Sequence, residues 1–125
     1  MDIITLTSKE DWESFISLNK NNEKIIFKFS SICPVSFFVE KKIASWINDL
    51  DENQRINIAK IDVVNSKSLS ELIEEQTNVK HESPQVIWLD KNNDVKWNAS
   101  HYSISKGKLE EQLTGEKVNF LRKIF

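Results

Sequence analysis

KIIFKFSSICPVS, residues 24 to 36, carries the chain from a strand into a helix through its one cysteine. Lys24–Ser30 is rich in β-branched and aromatic side chains, the composition of a central strand. Beyond Cys33, the apolar residues Val35, Val39, Ile43, Trp46, Ile47 and Leu50 recur at helical spacing. Pro34 belongs in the first turn of that helix, where a missing N–H costs nothing and the fixed φ suits the backbone. Cys33 therefore stands at the helix cap, where unpaired N–H groups and the helix dipole favour an anion.

That position has a chemical consequence. An ordinary thiol, with a pKa of ~8.5, is only a few per cent thiolate at neutral pH, and a helix N-terminus lowers the value. The thiolate is the nucleophile, so Cys33 is the candidate reactive group. Ser36, three residues on, can aim its hydroxyl or its backbone N–H at the sulfur, or act simply as a second capping hydroxyl.

Outward from this stretch the pattern alternates. Ile3–Leu6 suits a short strand, and Ser8 with Asp11 suits a capping box for a helix burying Trp12, Phe15 and Ile16. Ile56–Val63 reads as a strand, and Ser68 with Glu71 as the cap of a helix carrying Leu69, Leu72 and Ile73 on one face. Gln85–Asp90 and Val95–Ala99 flank Lys91-Asn92-Asn93-Asp94, which is turn chemistry, so they predict a hairpin. A last helix is expected over about Ser105–Leu113, interrupted by Gly115, with Val118, Leu121 and Phe125 forming another turn or two. The order βαβαβαββα implies an α/β domain: parallel crossovers, helices on both faces of a central mixed sheet, and a closing hairpin that adds an antiparallel strand.

The bulk properties narrow the function. The 125 residues suit one domain, 1–125, with 17 basic and 19 acidic residues interleaved for a net charge of −2. Such a surface gives no electrostatic reason to expect nucleic acid. No apolar run approaches the ~20 residues of a membrane span. The N-terminus has no basic segment followed by an apolar one, so a cytoplasmic protein is expected. One cysteine excludes an internal disulfide and a cysteine-based zinc site. Cys33-Pro34-Val35-Ser36 also differs from the C-G-F-S site with which single-cysteine glutaredoxins hold iron–sulfur clusters, so no metal is expected. Gly107 and Gly115, the two glycines, cannot build a phosphate-cradling loop, so no bound cofactor is expected.

The element order matches the thioredoxin fold, in which ligands meet the carboxyl ends of the strands. Ser83-Pro84, directly ahead of the strand from Gln85, falls where that fold places a cis-proline beside its reactive cysteine. As a simple alternative it is a strand-entry proline, and the sequence leaves the isomer of the bond open.

Three segments resemble one family. Lys28-Phe29-Ser30-Ser31-Ile32-Cys33-Pro34-Val35-Ser36 is similar to the K-x-S-x-x-C-P-[IV]-S signature of the single-cysteine bacilliredoxins of the YtxJ type. Thr77 to Gln85 resembles that family's T-x-V-x-H-E-S-P-Q segment, and Trp97-Asn98 with Ser100-His101 and Ile104 resembles its closing W-x-x-S-H-x-x-I element. Family members commonly carry His at the position of Phe29 and Thr at that of Ile32, so this chain is more apolar ahead of its cysteine. The likeness runs from about Ile4 to Leu113 and does not cover the tail.

The resemblance implies thiol–disulfide exchange with bacillithiol as co-substrate. Cys33 would take bacillithiol from a client protein, free bacillithiol would resolve the mixed disulfide, and a separate flavin- and NADPH-dependent reductase would recycle the product. It implies Ser83 and Pro84 as a platform for an extended partner. Lys28 either supports the site or is a solvated strand lysine. Lys80, His81 and His101 either meet the malate carboxylates of bacillithiol or tune the thiolate, or else are structural or solvated residues. Phe37, outside the apolar stripe and close to Cys33, is either a partner contact or packed under a neighbouring loop. The alternative to the enzyme is a thioredoxin-like binding or redox-sensing module with little turnover.

Overall fold

A computed structural model describes residues 3–18, 21–51 and 53–114. It contains β1 (Ile3–Thr5), α1 (Lys9–Leu18), β2 (Glu23–Phe29), α2 (Pro34–Asn48), β3 (Ile56–Asp62), α3 (Lys67–Thr77), β4 (Gln85–Leu89), β5 (Val95–Ser100) and α4 (Lys106–Thr114). The five strands form one sheet in the order β1-β3-β2-β4-β5. β3 runs parallel to β1 and β2, β4 runs antiparallel to β2, and β5 pairs antiparallel with β4. This is the predicted α/β order, with one addition: a single 3₁₀ turn, His101–Ser103, between β5 and α4. The expected turns through Val118, Leu121 and Phe125 lie outside the described residues.

β2 is the central strand, and its alternation sorts the core into two layers. Ile25 and Phe27 face Val39, Ile43, Trp46 and Ile47 of α2, together with Leu109 of α4. Ile26 faces the other way, among Trp12 and Phe15 of α1 and Leu69 and Ile73 of α3. Three tryptophans bury their rings and still satisfy their N–H groups: Trp12 Nε1 donates to Gln76 Oε1 at 2.7 Å, Trp46 to Glu110 at 2.9 Å and Trp88 to Glu23 at 2.9 Å. They are core residues, each anchored by a polar side chain from a distant element. Among the described residues no helix is long and apolar enough to cross a membrane.

Local details depart from the sequence reading in three places. At α1 the Ser8 hydroxyl accepts the Asp11 N–H as expected, but the Asp11 carboxylate reaches back to the N–H and hydroxyl of Thr7 rather than to Ser8. The box is thus shifted outward by one residue, and those two bonds lower the Asp11 pKa. α3 starts ahead of Ser68, because Ser66, anchored by its N–H to the Asp62 carbonyl at 2.8 Å, takes the cap position. Most consequential are the strand lysines. Lys24 and Lys28 have no solvent exposure. Both stand on the Ile26 face of β2, one near each end. Lys24 Nζ donates to Asn93 Oδ1 at 2.7 Å and Lys28 Nζ to the Ser70 carbonyl at 3.1 Å. A solvated strand lysine at position 28 is excluded.

Candidate active site

The chain leaves β2 and turns back over Ser30–Ile32 before entering α2. That turn is held from three sides. The Cys33 N–H donates to the Ser30 carbonyl at 3.2 Å, the Ser30 N–H donates to Ser36 Oγ at 3.0 Å, and the Ser31 N–H points at Asp62 Oδ1 at 3.4 Å. Cys33 is the N-cap residue in extended conformation, with Pro34 opening the helix. Its side chain is half-buried.

The amides of Ser36 and Val35, at the open start of α2, face the sulfur and hold the Cys33 thiol below its ordinary value; burial opposes them, and the Ser36 hydroxyl adds a lesser contribution in their favour. No charged side chain contributes, so the thiolate is favoured by helix geometry rather than by a neighbouring cation. Ser36, 1% exposed, turns its hydroxyl to the turn ahead of α2 and to the sulfur rather than capping an amide of the helix. Its oxygen accepts from Ser30, and its proton is free for the sulfur. Replacing Ser36 with Ala should therefore move the pH midpoint of Cys33 alkylation upward, yet leave it below that of free cysteine because the backbone amides remain. The same change unpairs the Ser30 N–H and should lower stability by about 1 kcal/mol, read by thermal denaturation.

The Ser83–Pro84 bond is cis. The antiparallel register that pairs Lys28 with Gln85 continues toward Phe29 and Pro84, so the proline lies beside the strand end leading into Cys33. Pro84 is buried, and its carbonyl accepts the His101 N–H at 2.9 Å. His101 itself sits in the left-handed region at φ 53° and keeps its side chain exposed. Cys33, Pro34, Ser36, Ser83, Pro84 and His101 thus gather at the carboxyl end of β2.

Lys28 and His81 are brought together elsewhere, on the α3 side of the sheet. His81 Nδ1 lies 3.1 Å from Ser70 Oγ and 3.4 Å from Lys28 Nζ, and the His81 N–H donates to the Glu74 carboxylate. Burial first, and then the Lys28 ammonium, hold the His81 pKa below its usual value, against Glu74, Glu71 and Glu82. Burial takes the Lys28 pKa down to about 8. The neutral His81 ring accepts from Ser70 or Lys28 and lines a cleft of about 270 Å³ with Glu71 and Glu74. Lys80 is exposed, and its carbonyl receives Gln85 Nε2 at 2.9 Å.

Two contributors escape a sequence reading. Asp62 organises the site from β3, accepting from both Ser31 and Val64, and its only sequence signal is a carboxylate at a strand end. Gln85 is buried and ties the approach to Pro84, although as a residue it reads as an ordinary strand position.

A thiol at a helix start beside a cis-proline, on this sheet order, defines a thioredoxin-fold thiol–disulfide oxidoreductase. The chain belongs to the monothiol bacilliredoxin family BrxC, whose model matches residues 4–109. Among solved structures it is similar to a candidate oxidoreductase with a thioredoxin fold, at 27% identity and a TM-score of 0.77, covering 89% of this chain and 93% of the other. It is also similar to Fasciola hepatica thioredoxin, at 19% identity and a TM-score of 0.69, covering 91% and 99% of the two chains. Schistosoma mansoni thioredoxin superposes with a TM-score of 0.71 at 16% identity, over 92% of this chain and 98% of its own. The two thioredoxins establish the shared fold alone.

Proposed function

We propose that this protein removes bacillithiol from protein mixed disulfides in the cytoplasm by a single-cysteine mechanism. The observation that supports it most is the placement of the chain's one thiol at the start of α2, where the amides of Val35 and Ser36 favour the thiolate. The Cys33 thiolate attacks the bacillithiol sulfur of a client disulfide. A Cys33–bacillithiol disulfide forms, the client–bacillithiol bond breaks, and the client sulfur leaves with the electron pair as a thiolate. Free bacillithiol, as its thiolate, then attacks the mixed disulfide, restoring Cys33 and forming bacillithiol disulfide for a separate flavin-dependent reductase. Ser83 and Pro84 form the platform on which an extended client lies. His101, held against Pro84, and the exposed Lys80 are better placed than His81 to meet the malate carboxylates, since the His81 ring is engaged with Ser70 and Lys28.

A stoichiometry experiment tests this. With a bacillithiolated client and no free bacillithiol, one client thiol should be released per Cys33, leaving the protein bacillithiolated by mass spectrometry. Adding bacillithiol should restore continuous turnover, and adding glutathione should not. Release no faster than in protein-free buffer would sink the reading in favour of a binding module.

A further inference from the structure

Large apolar side chains are exposed on the outer face of α2 and beside it. Ile32 is 79% exposed, Phe37 55%, Phe38 57% and Tyr102 69%. Ile32 directly precedes Cys33, and Phe37 and Phe38 follow within the first turns of α2. Phe37 and Phe38 meet edge to face, with centroids 5.9 Å apart. None of the four is needed by the core, which α2 reaches through Val39, Ile43, Trp46 and Ile47.

The charge on this face has one sign. Lys41 Nζ lies 4.5 Å from the centroid of the Phe37 ring, and Lys42 Nζ lies 5.8 Å from that of Tyr102. Neither lysine has a carboxylate partner among the described residues. Glu40, the one acidic residue within α2, is turned to Lys60 at 3.5 Å, and Asp49 at the helix end pairs with Lys106 at 2.8 Å. An apolar surface with two unpaired cations beside a nucleophilic thiol calls for an apolar partner carrying carboxylates.

We infer that α2 selects its clients: the preferred disulfide is one whose cysteine is flanked by an apolar residue and by aspartate or glutamate. The apolar residue packs on Ile32, Phe37 and Phe38, while the carboxylates meet Lys41 and Lys42. This rests on exchange at Cys33, but not on which small thiol completes the cycle, so its test dispenses with bacillithiol.

Three peptides of the form X-X-Leu-Cys-X-X, with X as glutamate, glutamine or lysine, are prepared as mixed disulfides with thionitrobenzoate. The Cys33 thiolate attacks the peptide sulfur, a Cys33–peptide bond forms, and coloured thionitrobenzoate leaves as its thiolate. At low salt the glutamate peptide should react about 3- to 10-fold faster than the lysine peptide, and the ratio should approach one in ~0.5 M salt. In the Lys41→Glu/Lys42→Glu chain the order should invert, with rates normalised to the glutamine peptide so that any change in the thiol itself cancels. Equal rates for the three peptides, or an unchanged order after charge reversal, overturns the inference. Failure of the bacillithiol assay with the peptide order intact would instead remove the proposed function and leave the client preference standing.

Discussion

A Cys33→Ser chain is expected to remove bacillithiol from a client no faster than protein-free buffer, while melting no lower than the wild type. Exchange needs a sulfur nucleophile, and a serine hydroxyl is neither ionised at neutral pH nor able to form a disulfide. Ser36 cannot substitute, for the same reason, and the sequence holds no second cysteine. The stability half of the expectation comes from the cap. Cys33 makes no side-chain capping hydrogen bond, whereas serine is among the preferred N-cap residues, worth ~1 kcal/mol over alanine. Cys33→Ala should therefore be equally inactive without the extra capping. Adduct removal followed by mass spectrometry, beside thermal melts of all three chains, checks both halves. Residual turnover in Cys33→Ser would move the chemistry away from this residue.

Lys28→Met should stabilise the fold at pH 7, by up to about 3.5 kcal/mol for a pKa lowered by about 2.5 at ~1.4 kcal/mol per unit. Lys28 is fully buried, and burial brings its pKa to about 8 from an ordinary 10.5. Below pH 8 the amine is charged in both the folded and unfolded chains, so folding carries the full cost of burying the ammonium. From pH 8 to 10.5 the folded form gives up its proton first, and that cost fades. Above 10.5 the amine is neutral in both states. The methionine's advantage is thus largest below pH 8 and disappears by about 10.5. Methionine has the length to fill the space, and the groups it deserts are not orphaned. The Ser70 carbonyl lies inside α3, and His81 keeps Ser70 Oγ at 3.1 Å. Urea denaturation of both chains at pH 7 and pH 10.5 measures the difference, and a variant less stable at pH 7 would show that the ammonium's hydrogen bonds outweigh its burial.

What could be read from the sequence was what short-range chemistry controls. β2 follows from the run Ile25-Ile26-Phe27, α2 from the apolar spacing behind Pro34, and the hairpin from Asn92-Asn93, with Asn93 accepting the left-handed φ the turn requires. Cys33 and Ser36 were legible because a helix start acts on residues within one turn. Lys28 was not. Its partners stand 42 and 53 residues away, and a lysine in a strand has the same local signature whether it meets water or a helix carbonyl. The contacts of His81 with Lys28 and Ser70 are hidden for the same reason, and Asp62 gives no signal because the loop it organises belongs to another strand. The cap of α3 was misplaced by rivalry among nearby serines, which the backbone bond from Ser66 to Asp62 decides.

The two buried lysines of β2 also bear on folding fidelity. A strand paired on both edges can slip along its neighbours, and a slip of one residue exchanges its two faces. In β2 that would drive Lys24 and Lys28 into the layer where Trp46 and Trp88 pack 5.8 Å apart, far from Asn93 and the Ser70 carbonyl. Mispaired β2 therefore meets a large penalty that an all-apolar strand would escape. The charges that weaken the native sheet thus weaken its misregistered competitors far more, and the strand that delivers Cys33 to its helix arrives in one alignment.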